Sequence, residues 1–144
     1  HYNEKSSFKK INIGQSNTII KGSKVAFLSL GTRINQVIEV SNELKRLKKI
    51  QSTVVDMRFA KPIDKNTIQK LTKDHDIFIT IEENSIGGFS SQVNDFLLNK
   101  YYSVQILNFF MKDEFIDQSD INDQYSQSGI SVHQILSKVL KILN

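Results

Sequence analysis

The stretch KVAFLSLG (residues 24–31) is a nearly continuous apolar run that ends in a glycine. A run of this kind is typical of a strand whose two faces are both covered by other parts of the protein. Residues 32–48 then carry apolar side chains at helical spacing, which predicts a helix with Thr32 as its N-cap. Its apolar stripe is Val37, Ile38, Leu44 and Leu47. The regular part of the chain therefore starts with a buried strand followed by a helix.

The alternation of strand and helix patterns continues to the end of the chain. Further strands are predicted at residues 52–56, 76–81 and 103–109. Further helices are predicted at residues 64–71, 88–100, 120–126 and 132–143. SNTII (residues 16–20) fits an edge strand or a hairpin arm, and Ser131 is the expected cap of the last helix. Since alternating strands and helices form parallel sheets, we expect a three-layer α/β/α fold with a mostly parallel sheet of four or five strands.

Length and composition describe one ordinary globular domain. The chain has 144 residues, of which 39% are hydrophobic and 24% are charged. We assign residues 23–144 to the domain and residues 1–22 to a linker or edge segment. The absence of cysteine excludes disulfides and thiolate metal sites. The three histidines (His1, His75 and His133) are not at metal-ligand spacing, so we expect surface or helix-end positions for them.

Charge and hydropathy give no indication of a nucleic-acid or membrane partner. The net charge is +4, but the basic residues are dispersed, and the densest group, residues 45–49, ends a predicted helix. No apolar run is long enough to cross a bilayer, and the N-terminus has no signal-peptide core. We therefore expect a protein that is not secreted. The missing initiator methionine indicates a processed chain or a domain excised from a larger enzyme.

Two loops concentrate charge and glycine at the ends of predicted strands. They are DMRFAKPID (residues 56–64) and TIEENSIGGFSS (residues 80–91). Open α/β sheets place functional loops at this position. The turn at Gly87 and Gly88 could bind an anion at a helix N-terminus, but it matches no phosphate-binding motif. We favour a structural role for the two glycines, in a tight turn that lets a helix pack closely on a strand.

The adjacent carboxylates Glu82 and Glu83 are the remaining catalytic candidates. Consecutive residues that leave a strand point in opposite directions, so the two make a poor acid/base pair. Ion pairing or helix capping is the expected role, with Arg58 and Lys61 on the neighbouring loop as natural partners. There is also no G-x-S-x-G nucleophile motif. Taken alone, the sequence contains no catalytic constellation.

The same loops resemble a known family. The shared elements are G-T-R, D-x-R-F-x-K-P-I-D, E-E-x-S-I-G-G-F-x-S and a D-x-F-I-D tail. We call the residues that carry them the signature residues: Arg33, Asp56, Arg58, Phe59, Lys61, Pro62, Asp64, Glu82, Glu83, Gly87, Gly88, Phe89, Asp113, Phe115 and Asp117. Over residues 11–144 the pattern resembles the C-terminal domain of the transketolase superfamily. Within it, the pattern is most similar to the 1-deoxy-D-xylulose-5-phosphate synthases.

The resemblance implies a parent transferase that uses thiamine diphosphate and Mg²⁺. Such an enzyme condenses pyruvate with glyceraldehyde 3-phosphate, releases CO₂ and supplies isoprenoid, thiamine and pyridoxal synthesis. In that family the upstream domains hold the cofactors and the catalytic residues. The resemblance thus implies an inactive domain without catalytic, cofactor or metal ligands, which packs on the upstream domains and supports a homodimer. The signature residues become structural or interface candidates, and the expected location is a plastid or the bacterial cytoplasm.

Two other interpretations stay open at this point. Transketolases and the β subunits of 2-oxoacid dehydrogenases share the E-E and G-G elements, although they do not usually combine them with R-F-x-K-P or F-I-D. From a different class, the chain could be a free-standing module whose G-G-F turn holds a small anion. An upstream sequence with a Mg²⁺-binding motif and an activating glutamate would settle the parent enzyme.

Overall fold

One five-stranded sheet forms the centre of the computed structural model, which describes residues 10–143. Its strands are β1 (Asn17–Ile20), β2 (Lys24–Ser29), β3 (Thr53–Asp56), β4 (His75–Ile81) and β5 (Gln105–Phe109). They lie in the order β1-β3-β2-β4-β5, with β1 antiparallel to β3 and the other neighbours parallel. The prediction of a mostly parallel sheet with residues 16–20 at its edge is confirmed.

Helices cover both faces of the sheet. They are α1 (Ile34–Lys48), α2 (Lys65–Leu71), α3 (Phe89–Asn99), α4 (Ile121–Gln127) and α5 (Val132–Ile142). Apolar residues of α1 and α5 share one core with the sheet, and those of α2 and α3 share the other. The architecture is therefore the predicted three-layer α/β/α sandwich. Within the described part of the chain, no helix is both long and apolar enough to span a bilayer.

The apolar run in β2 explains why the sheet has two cores. Val25 and Phe27 lie in the core under α1 and α5, whereas Ala26 and Leu28 lie in the core under α2 and α3. All four side chains are fully buried. Because successive side chains of a strand point to opposite faces, a central strand needs apolar residues at every position. Burying a side chain such as Phe27 stabilises the fold by about 2–3 kcal/mol.

The N-terminus of α1 and its buried face differ from those predicted from the sequence. A 3-10 turn (Gly31–Arg33) precedes the helix, and no side chain caps it. Thr32 is therefore not an N-cap, because its hydroxyl donates to Glu83 instead. The buried face of α1 is Val37, Val40, Ser41 and Leu44. Leu47 was expected on this face but is 46% exposed, because the last turn extends beyond the edge of the core.

The histidine predictions fail at one position. His75 begins β4 and is only 5% exposed. Its Nδ1 lies 2.9 Å from the Leu71 carbonyl oxygen and its Nε2 lies 2.8 Å from Thr53 Oγ1. Both ring nitrogens are thus used inside the domain, so His75 is a buried structural residue and not a surface one. His133 is exposed in the first turn of α5, as expected, and His1 lies outside the described residues.

Candidate functional site

The candidate site is the carboxyl edge of the sheet, formed by the loops that follow β2, β3, β4 and β5. Parallel pairing brings the ends of these strands together, although the loops are far apart in sequence. Nearly all signature residues lie at this edge or in the turns that leave it. Their hydrogen bonds decide whether the edge can perform chemistry.

Glu82 caps α3 from inside the protein. Its side chain is fully buried, with Oε2 accepting from the Phe89 N–H and Oε1 accepting from the Ser90 N–H, both at 2.7 Å. The first N–H groups of a helix have no partner within the helix, and a carboxylate there also interacts favourably with the helix dipole. Helix capping, one of the two predicted roles, is confirmed for Glu82. Both carboxylate oxygens are engaged, so the group is not a free acid or base.

The predicted pairing of Glu82 or Glu83 with Arg58 and Lys61 is wrong. Arg58 instead turns back onto its own loop, where its Nε lies 3.6 Å from Asp56 Oδ2. The backbone N–H of Arg58 donates to Asp56 Oδ1 at 3.1 Å. The two carboxylates are already committed, Glu82 to the backbone of α3 and Glu83 to hydroxyl groups. Lys61 is exposed and faces a groove between the 61–65 turn and α3.

The two glycines are required for different reasons. Gly87 has a φ of 94°, a left-handed conformation that favours glycine, but a side chain there would meet nothing within 4 Å. A Cβ at Gly88 would lie 2.2 Å from Glu82 Oε2. The second glycine is therefore what allows the capping carboxylate to reach the start of α3. The structural interpretation of this turn is supported over the anion-binding one.

Glu83 points the opposite way from Glu82, as predicted for neighbours leaving a strand. The hydroxyl of Tyr125 donates to Glu83 Oε1, and Thr32 Oγ1 donates to the same oxygen at 2.6 Å. Burial raises the pKa of Tyr125, and the hydrogen bond to Glu83 raises it further. The phenol therefore stays protonated and donates. Glu83 thus links the loop after β2 to α4.

Arg33 connects the edge of the sheet to α4 and to the turn between α4 and α5. Its side chain is 1% exposed, its Nη2 donates to the Ile130 carbonyl oxygen at 2.6 Å, and its Cζ lies 3.7 Å from the centre of the Tyr125 ring. A guanidinium over an aromatic face is attracted by the negative charge of the ring face. Within residues 10–143, Nε and Nη1 have no hydrogen-bond partner. Arg33 is a buried structural residue and not an interface residue of this domain.

Asp64 organises the other signature loop. It is the N-cap of α2, and its Oδ1 accepts from the Thr67 N–H at 3.0 Å. Its Oδ2 accepts from the N–H and hydroxyl of Ser16 and from the hydroxyl of Thr67. Burial acts to raise the pKa of Asp64, but these hydrogen bonds outweigh it, and the pKa lies below its usual value. The segment before β1 is thereby tied to the start of α2.

Replacing Asp64 with alanine is expected to lower the free energy of unfolding by about 1–2 kcal/mol at neutral pH, the usual cost of losing an N-cap. The stabilisation is present above the pKa of an aspartate in the unfolded chain, about 3.9, and is lost as the pH falls through the lower folded pKa. Urea unfolding at pH 7 and near pH 2.5 measures this change. Asp64→Asn is the matched control, since it keeps one acceptor oxygen and should lose less. An equal loss for Asp64→Ala at both pH values would contradict the assignment.

The remaining signature residues divide by exposure. Phe89 is fully buried in the core under α3, and Phe59 is half-buried. Asp113, Phe115 and Asp117 lie on the exposed loop after β5, where the Phe115 side chain is fully exposed. Pro62 is exposed, and a Cβ added at Gly14 would lie 3.0 Å from its Cγ. Only the exposed set is available for an interface, and that role stays a prediction.

Sequence reasoning missed the partners that hold this edge together. Tyr125 and Ile130, which contact Arg33, are 92 and 97 positions away from it, and Ser16 is 48 positions from Asp64. No local pattern marks such pairs, because hydroxyl and carbonyl groups are present throughout the chain. These residues come close to each other only because the parallel strands end at the same edge of the sheet.

The edge does not fit the cofactors that the family resemblance implies. Among residues 10–143, no three His, Cys, Asp or Glu side chains come together as a metal site. The amides at the start of α3, which could bind a diphosphate, already donate to Glu82. A buried carboxylate at that place would also repel phosphate. The described residues therefore do not form a site for thiamine diphosphate or Mg²⁺.

Comparison with known proteins agrees with the fold. The sequence model of a family described as transketolase, C-terminal domain, matches residues 14–135. Among solved structures, a split-gene transketolase, described as an inactive β4 tetramer, is similar with 25% identity and a TM-score of 0.83 over 92% of this chain. Transketolase from Campylobacter jejuni is similar with 20% identity and a TM-score of 0.59 over 89%. A transketolase mutant from Pichia stipitis has 13% identity and a TM-score of 0.62 over 89%. The chain spans 43% of the first of these chains and 18% of the other two.

Proposed function

The chain belongs to the transketolase C-terminal domain family, and on that premise we propose that it is the C-terminal domain of a 1-deoxy-D-xylulose-5-phosphate synthase. The R-F-x-K-P-I-D element at residues 58–64 and the F-I-D tail at residues 115–117 support this choice within the family. The parent enzyme would join pyruvate to glyceraldehyde 3-phosphate with loss of CO₂. Its thiamine diphosphate and Mg²⁺ would be bound by upstream domains, in a plastid or in the bacterial cytoplasm.

The role that we propose for the domain itself is structural support, without a catalytic residue. The observation that carries this proposal is the use of the edge carboxylates within the domain. Glu82 caps α3, Asp64 caps α2, Asp56 contacts Arg58, and Glu83 binds Thr32 and Tyr125. A general acid or base needs a position from which it can reach a substrate proton. These four carboxylates instead hold loops and helices in place.

Exposed apolar side chains at the same edge support a packing role. Phe115 is fully exposed on the loop after β5, and Ile86 is 66% exposed on the loop after β4. The two loops are joined by a hydrogen bond of 3.0 Å from the Met111 N–H to the Asn84 carbonyl oxygen. Large apolar side chains exposed on two joined loops are a feature of surfaces that other proteins or domains cover. We propose that upstream domains or the second subunit of a homodimer cover this part of the edge.

Transketolase is the second candidate for the parent enzyme, because the similar solved structures described above are transketolases. The two enzymes differ in substrate and product. The synthase consumes pyruvate and releases CO₂, whereas transketolase passes a two-carbon unit from a ketose to an aldose without releasing CO₂. A reaction assay therefore separates them.

The complete polypeptide that contains this chain is expected to form 1-deoxy-D-xylulose 5-phosphate from pyruvate and glyceraldehyde 3-phosphate. The measurement is stoichiometric release of labelled CO₂ from pyruvate together with product formation. The 144-residue chain alone is the matched control and should be inactive. Ketose-dependent transfer without CO₂ release would overturn the synthase and favour transketolase.

The packing role is tested by a separate measurement on the same polypeptide. Phe115→Asp in the complete polypeptide should weaken the association of the domain or subunit. Sedimentation would show this as a larger dissociation constant between subunits, and calorimetry would show it as a separate unfolding transition of the domain. Leu98→Asp is the control, since Leu98 is 69% exposed on α3, away from this part of the edge. Equal association of the Phe115→Asp and Leu98→Asp variants would contradict the packing role. It would not affect the proposal about the reaction that the parent enzyme catalyses.

A further inference from the structure

A groove lies between the turn at residues 61–65 and the outer side of α3. Its volume is about 470 Å³, within the range of small-molecule sites. The lining residues are Lys61, Pro62, Ile63, Lys65, Gln92, Asp95, Phe96, Asn99 and Lys100. Neither the capping contacts nor the proposed packing surface at Phe115 uses this groove. Lys61 is a signature residue that the carboxyl edge leaves without a role.

The charges in the groove are unbalanced. Three lysines face one carboxylate, Asp95, whose Oδ1 accepts from Asn99 Nδ2 at 2.9 Å. In the part of the chain that the structure describes, none of these lysines forms an ion pair with Asp95 or with any other carboxylate. Like charges gathered in a concave surface repel each other and create a positive potential that attracts anions. An anionic ligand would remove this repulsion.

The groove also has an apolar wall. The ring of Phe96 lies against the core and is 8% exposed, and the Lys65 ammonium lies 5.8 Å from the centre of that ring. Pro62 and Ile63 continue the wall. The turn that carries Lys61 is held in place, since Asp64 caps α2 and also accepts hydrogen bonds from the N–H and hydroxyl of Ser16. The backbone that carries Lys61 and Lys65 is therefore preorganised, which lowers the entropic cost of binding a ligand.

We propose that this groove is a binding site for a small phosphate-bearing anion with more than one negative charge. Lysine ammonium groups bind phosphate oxygens as point charges, and the volume suits a small metabolite. The amides of Gln92 and Asn99, which also line the groove, can donate to further ligand oxygens. The site is separate from the turn at Gly87 and Gly88, where Glu82 occupies the helix amides.

The test is a titration of the 144-residue chain with inorganic pyrophosphate, followed by backbone amide NMR shifts. Saturable shifts are expected at residues 61–65 and 92–100, and the affinity should fall when the salt is raised from about 50 to about 200 mM. The double variant Lys61→Gln/Lys100→Gln should bind about tenfold or more weakly. The double variant Lys45→Gln/Lys141→Gln on α1 and α5 is the matched control, because it removes two positive charges on the other face of the sheet.

Three outcomes would overturn the proposal. The first is a set of shifts that do not saturate. The second is an equal affinity for Lys61→Gln/Lys100→Gln and for Lys45→Gln/Lys141→Gln, since binding would then reflect net charge only. The third is tighter binding of a short polyglutamate peptide than of pyrophosphate, which would make the groove a contact surface for an acidic segment. The result is independent of the reaction assay, so this proposal and the parent enzyme can fail separately.

Discussion

Glu82→Gln is expected to lower the free energy of unfolding by about 3 kcal/mol, because it weakens two hydrogen bonds to a charged group, each worth about 1.5–3 kcal/mol. The carboxylate is fully buried and accepts from the Phe89 and Ser90 N–H groups at 2.7 Å. Glutamine has nearly the same shape but offers one oxygen, so its NH₂ group must face a backbone N–H. The first turn of α3 would then carry an unsatisfied donor and lose the favourable charge at its N-terminus.

Urea unfolding at neutral pH measures this loss as a lower midpoint with an unchanged slope. Glu83→Gln is the matched control. Its side chain lies on an exposed loop and keeps an oxygen for Thr32 and Tyr125, so its cost should stay below about 1 kcal/mol. Hydrogen exchange adds a local readout, since the Phe89 and Ser90 amides should lose protection first in Glu82→Gln. If the two variants were equally stable, the capping role of Glu82 would be refuted.

Gly22→Ala is expected to cost about 3 kcal/mol, the upper end for forced overpacking. A Cβ at this position would lie 1.9 Å from the backbone oxygen of Gln51 and 2.6 Å from the backbone carbon of Ser52. Backbone cannot move aside as a flexible side chain can. Residues 22–23 would have to move away from residues 51–53. Two hydrogen bonds would then be lost, one from the Gly22 N–H to Thr53 Oγ1 and one from the Ser23 N–H to the Gln51 carbonyl oxygen.

Gly31→Ala separates this steric effect from glycine's conformational freedom. Gly31 has a φ of 78°, but a Cβ there would meet nothing within 4 Å. Its cost should be the strain of the left-handed conformation alone, about 1 kcal/mol. Thermal and urea unfolding of both variants provide the comparison. A smaller loss for Gly22→Ala than for Gly31→Ala would show that residues 22 and 51 do not pack as closely as the structure indicates.

Much of the fold could be predicted from local patterns. The continuous apolar run of β2, the helix that begins near Asp64, the helix predicted at residues 88–100 and the cap at Ser131 are all confirmed. These features depend on short-range physics, because strand and helix periodicities and helix caps involve residues within a few positions of each other. The same reasoning placed Leu47 wrongly, since α1 continues past the core that it covers.

The site was predicted only in part. The sequence identified the loops and the opposite directions of Glu82 and Glu83, and it named helix capping as one possible role. It wrongly expected Arg58 and Lys61 as partners, because opposite charges on neighbouring loops look compatible when their directions are unknown. Asp56 on the same loop contacts Arg58 instead, and Lys61 lines a groove. Charge alone does not select a partner, because side-chain direction and distance decide which pairs form.

By itself, the sequence determined the alternation of strands and helices, the two-sided burial of the central strands and the family to which the signature loops belong. Tertiary structure alone decided that Arg33 is buried against Tyr125 and Ile130, that Gly88 makes room for Glu82, and that three lysines gather in one groove. The physical reason is the range of the interactions. Periodicity and capping are local, whereas these contacts join residues that meet only after the parallel strands have aligned.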